Sequence, residues 1–138
     1  MAVEILFWSP LAGRKISFVD PEDEVSLGEL VDLRYGYDSP EFQRDPTGFM
    51  KRIANVSEDQ IANYLEIQYV MLRENKYNDK EASRIIDKLE RTIYKRLGKL
   101  RELFARYPDL RVVYYSIDGG KYGSWVSPDF RNLLKPWR

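Results

Sequence analysis

The chain has no histidine and no cysteine, so any side-chain chemistry must come from its 22 acidic and 22 basic residues and its hydroxyls. Without imidazole, the Ser-His-Asp triad and imidazole metal sites are excluded. Without thiol, disulfides, thiolate nucleophiles and cysteine metal sites are excluded as well. The carboxylates remain. Pro108-Asp109 and Pro128-Asp129 each open like a metal nuclease motif, but such motifs also need a downstream carboxylate and lysine two apart on a strand. The one close match, Glu74-Asn75-Lys76, comes earlier and falls in a link between helices. A two-carboxylate hydrolase needs a paired, perturbed acid, whereas the acids here sit in hydrophilic, cap-like contexts. Asp20-Pro21-Glu22-Asp23-Glu24 matches no calcium loop and reads as a turn entering a helix. Gly119-Gly120-Lys121 lacks the spaced first glycine and the following Ser or Thr of a phosphate loop, and reads as a hairpin turn. No enzyme activity, cofactor or metal is expected.

What the sequence does offer is a row of cations. Arg84, Lys88, Arg91, Lys95, Lys99 and Arg106 fall on one side of the stretch from Asn78 to Tyr107, with Glu102 the acid among them. On the other side Ala82, Ile86, Leu89, Ile93, Leu97, Leu100, Phe104 and Tyr107 recur every three or four residues, the period of a helix face. Asn78 and Glu81 have the spacing of a capping box, and Pro108 ends the run, so a helix is expected over about 79–106, roughly 40 Å long. The basic stripe is either a solvated face or a docking strip for phosphates or an acidic protein. Gly98 interrupts its outer side, at a cost of about 1 kcal/mol relative to alanine.

Around that helix the sequence predicts an α+β fold. Val3 to Trp8 and Arg14 to Val19 alternate as a hairpin about the turn from Ser9 to Gly13. Ser26 and Glu29 have capping-box spacing for a short helix reaching Arg34. Ser39-Pro40 and Asp45-Pro46 mark brief helices, and Ser57 to Gln60 opens a better one that pairs with the long helix through the link Arg73 to Tyr77. RVVYYSI and KYGSWVS flank Asp118-Gly119-Gly120 as a second hairpin, and a short C-terminal helix follows Pro128. The two hairpins are expected to share one antiparallel sheet. Tyr35, Tyr37 and Phe42 lie in the longest irregular stretch, as the core of a folded loop or as a presented contact surface, and Trp137 stands in the tail.

At 138 residues the chain is read as a single domain, 1–138. With 43% hydrophobic and 32% charged residues the composition is globular. The amino terminus carries Glu4 within a short apolar run and is read as a strand, not a targeting segment; no membrane span is expected, and the protein is placed in the cytoplasm. Residues 1–60 hold 12 acids and 6 bases, and residues 61–138 hold 10 acids and 16 bases, so net −6 in the first part balances net +6 in the second. In its zero histidines, absent cysteines and few glutamines the composition resembles that of proteins from hot environments.

The helices beginning near 46, 58 and 79, followed by a glycine-turned hairpin, resemble the element order of winged-helix nucleic-acid-binding domains. That resemblance implies Asp79 to Arg106 as recognition helix, Ser116 to Lys121 as wing tip, and phosphate contacts from Arg84, Lys88, Arg91 and Lys95. In general make-up, from EILFW through the SIDGGKYGSWV hairpin, the chain is similar to small phage-encoded regulators that seize host machinery, such as the RNA polymerase inhibitors of phages infecting thermophiles. This second resemblance implies a non-catalytic regulator of transcription with a protein partner. Its candidate surfaces are the basic stripe, the segment Tyr35 to Phe42, and Trp137.

Overall fold

The computed structural model describes residues 2–130. The chain is α+β, with one four-stranded antiparallel sheet and a long helix. It falls into two compact units, one drawn from Met1–Asp23 and Leu103–Arg138 as far as these are described, the other from Glu24–Glu102.

The first unit is the sheet. β1 (Val3–Ser9) and β2 (Arg14–Asp20) form the N-terminal hairpin, and β3 (Arg111–Ile117) and β4 (Ser124–Val126) the C-terminal one. The order is β2-β1-β3-β4, so the two hairpins join through β1 and β3, with Val3 opposite Ile117. Period-two alternation in β1 buries Val3, Ile5 and Phe7 on one face. Phe18 of β2 and Tyr115 of β3 flank Ile5 in register, and Phe7 meets Phe104 edge-on at 5.6 Å. A register shift opposite Leu6 and Phe7 makes a bulge in the β1–β3 ladder, and Val112 and Val113 beside it are both buried. β4 begins later than the segment KYGSWVS, read as a strand from Lys121, suggests. Asp118–Gly120 coil into a 3-10 turn with Asp118, Gly119 and Gly120 all at positive φ, which holds Lys121 and Tyr122 out of the strand.

The second unit is helical. α1 (Pro40–Arg44) and α2 (Pro46–Ala54) each start with proline behind a capping side chain, Ser39 accepting from the Glu41 amide and Asp45 from the Gly48 amide. α3 (Glu58–Glu74) has the full capping box of Ser57 and Gln60. In α4 (Asp79–Arg106) Asn78 accepts from the Glu81 amide at 2.9 Å, and the apolar stripe buries Ala82, Leu89, Ile93, Leu97 and Leu100. The expected helix from Ser26 to Arg34 is only a 3-10 turn, Leu27–Leu30. Ser26 Oγ caps nothing and is buried without a hydrogen-bond partner among the described residues, while Glu29 accepts instead from the Tyr64 hydroxyl at 3.2 Å, so the pair that looked like a box does not close. Residues 128–130 are helical; the rest of the expected C-terminal helix lies outside the described residues.

Candidate functional site

Two of the acids that resembled catalytic motifs, Asp109 and Asp129, have structural work. Asp109 clamps the β1–β2 turn: it accepts from Ser9 Oγ at 2.8 Å and from the Leu11 amide at 2.7 Å. The Leu11 amide bond, helped by the Ser9 hydroxyl, holds its carboxyl below the usual carboxylate range against the opposing effect of desolvation. Asp129 receives Arg111 Nη1 at 3.2 Å, and the Asn75 amide closes the end of α3 on the Met71 carbonyl. Among the described residues no group of three or more Asp and Glu is placed to hold a metal ion, and no described helix is long and apolar enough to cross a membrane.

The cations of α4 behave differently. Arg84, Lys88, Arg91, Lys95, Lys99 and Arg106 are all exposed. Lys88 pairs with Glu24 at 3.0 Å, so one cation of the stripe is neutralised by the acidic part of the chain. Arg106 stacks on the neighbouring Tyr107 ring at 5.5 Å. Arg84, Arg91, Lys95 and Lys99 form no ion pair with any described residue. From Arg84 to Lys99 they span about 22 Å of helix. Arg84–Lys88, Arg91–Lys95 and Lys95–Lys99 are each four residues apart, an arrangement of like charges that costs a helix about 0.2–0.5 kcal/mol per pair.

The two arginines nearest the apolar stripe carry tertiary roles that the sequence did not disclose. Arg96 Nη1 donates to the Val25 carbonyl at 2.5 Å. Arg101 forks onto the carbonyls of Ala54 and Val56 at 2.7 and 2.9 Å, holding α4 to the junction before α3. The available signal was position: both flank the apolar face, where a long side chain can lay its stem on the core and extend its head to a carbonyl.

Of the described members of the expected aromatic surface only Tyr35 is outside, at 49% exposure. Tyr37 and Phe42 are core residues, which corrects the reading of this segment as a presented surface. Their rings meet at 5.2 Å and both pack on Phe49, because the short turns around Gly36 and Ser39 fold these side chains inward. Trp137 lies outside the described residues.

Exposed apolar residues appear instead on the last turns of α3, where Val70 and Met71 are 48% and 49% exposed beside half-buried Ile67. Tyr94 of α4 is 38% exposed, and one turn further a Cβ added to Gly98 would meet nothing within 4 Å. Compared with family models, curated proteins and solved structures, the chain matches none.

Proposed function

We propose that the protein is a non-catalytic binding module that grips a larger protein assembly, with the cationic face of α4 set against an acidic surface of that partner. The observation that carries this reading is the set Arg84, Arg91, Lys95 and Lys99. They stay exposed and unpaired among the described residues in a chain with as many acids as bases. These four like charges lie along one helix face without an ion pair to any described residue, and an acidic partner would turn their repulsion into attraction. Exposed Val70 and Met71 favour a protein partner over a bare polyanion, since they supply apolar area that a phosphate backbone cannot use. The zero net charge points the same way, because sequence-independent nucleic-acid binders are basic as a whole. A multi-subunit RNA polymerase, the machine implied by the resemblance to phage regulators, is the first partner to try, with regulation of transcription as the outcome.

The test is affinity capture from nuclease-treated lysate and with purified polymerase, using the wild-type chain and the double variant Arg91→Glu with Lys95→Glu. Capture that survives nuclease and is lost in the double variant supports the reading. Capture abolished by nuclease, with a gel-shift affinity that falls steeply with salt, would instead make α4 a nucleic-acid face.

A further inference from the structure

A glycine inside a helix weakens it relative to alanine, so it calls for a reason. Gly48 has one in the Asp45 cap pressed against it, and Gly28 in the backbone of Gly36 and Tyr37. Gly98 has none among the described residues: it lies in the last third of α4, a Cβ there would meet none of their atoms within 4 Å, and its backbone is not at positive φ. Helix geometry places Arg91, Tyr94 and Lys95 seven, four and three residues before it, on the same side, with Lys99 next to it. The result is a flat spot bordered by three cations that form no ion pair with a described residue and by an exposed tyrosine ring. Small residues of this kind let a second backbone come close to a helix axis, and Tyr and Arg are the side chains that dominate contacts around such a point.

We propose that this face, centred on Gly98, is the seat of a helix from the partner, an amphipathic helix carrying Asp or Glu along the side it turns to α4. Charge complementarity selects this occupant. Arg84, Arg91, Lys95 and Lys99 rise along α4 in steps of seven, four and four residues, so acids at three- and four-residue spacing on a second helix lying along α4 meet each of them. The flat spot at Gly98 brings the two axes near enough for those pairs to close. Apolar residues on the partner helix gain the Tyr94 ring as a contact. The inference rests on the reading of α4 as a protein-binding face and adds to it the kind of element that is bound.

The probe is a fluorescein-labelled synthetic helix of about 18 residues, enough to span the cations, built from Glu, Ala and Leu with Glu at four-residue spacing. A Gln-for-Glu version and a single-stranded oligonucleotide of equal charge are the controls. Fluorescence anisotropy is measured with wild type, Gly98→Ala and Gly98→Leu, and thermal melts are run on each. The Glu helix is expected to bind in the micromolar range, and the Gln helix at least tenfold more weakly. Gly98→Ala should raise the melting temperature by about 3 °C while weakening binding severalfold, and Gly98→Leu should weaken it at least tenfold without lowering the melt. This opposite movement of stability and binding is something a merely structural glycine would not give. No binding of the Glu helix, equal binding by Gly98→Leu, or an oligonucleotide that binds more tightly than the Glu helix would each overturn the proposal. In the lysate capture, a Gly98→Leu chain that still takes its partner while the Arg91→Glu, Lys95→Glu chain does not removes the helix seat and leaves the binding module standing.

Discussion

Replacing Arg101 with methionine isolates the contribution of one guanidinium to the second unit. Arginine and methionine have nearly the same helix propensity, so α4 itself should be unaffected. What disappears are two hydrogen bonds, at 2.7 and 2.9 Å, to the carbonyls of Ala54 and Val56, both buried residues. A bond from a charged donor contributes about 1.5–3 kcal/mol net, and stranding a buried carbonyl costs about 1–3 kcal/mol. Arg101 is itself exposed and competes with water, so the lower ends apply and the loss should be about 2–3 kcal/mol. Lysine offers a single ammonium in place of a planar fork and should recover about half of that. With a urea slope of about 2 kcal/mol per molar, the methionine variant should lose about 1 M in midpoint and the lysine variant about 0.5 M. The assay is urea unfolding followed by far-UV circular dichroism and by tyrosine and tryptophan fluorescence together, so that the two units unfolding separately would show as non-coincident curves. A methionine variant within about 0.5 kcal/mol of wild type, or a lysine variant as weak as methionine, would refute the assignment of the fork as the fastening.

Gly28→Ala should destabilise the second unit by about 1–3 kcal/mol, because the new Cβ would sit 2.9 Å from the Tyr37 amide nitrogen and 3.1 Å from the Gly36 carbonyl carbon; an unchanged thermal midpoint would refute it. Asp109 has a lowered pKa in the fold, so it contributes stability that is present above its unfolded pKa and lost as pH falls through the folded value. Urea midpoints should therefore drop on acidification below about pH 4, and Asp109→Asn should flatten that part of the curve; an identical acid profile in the two proteins would count against the clamp. The double variant Arg91→Glu with Lys95→Glu should stay within about 0.5 kcal/mol of wild type in the same unfolding assay, because neither cation is paired with a described residue. A larger loss would mean that these side chains serve the fold.

α4 could be read from the sequence to its terminal residues because three independent signals coincide there: the apolar period, the Asn78 cap and the stop at Pro108. The sheet was legible for a similar reason in the first hairpin, where alternation and turn chemistry agreed, whereas in the second the branched and aromatic run marked β3 but the 3-10 turn at Asp118–Gly120 shortened β4. Ser26 and Glu29 show where such reading fails, since a capping box looks the same in sequence as a pair whose acid is taken by a distant hydroxyl. Tyr35 and Tyr37 are two residues apart with the same side chain, yet one is outside and the other in the core, and only the 3-10 turn beginning at Gly36 separates them. The cationic face was visible as a pattern. Which members are neutralised was not, because the Lys88–Glu24 pair spans a sequence separation that no local rule reaches.

The pairing of β1 with β3 has a consequence for synthesis, since Val3 must wait for Ile117. At about 5–20 residues per second, the ribosome needs on the order of 5–20 s after making β1 to deliver its second partner. Through that interval the β1–β2 hairpin is a two-stranded ribbon, a form that is marginal in water by itself. Nascent chains arrested before Arg111 should accordingly leave residues 3–20 open to protease, and release of chains that include β3 should close them.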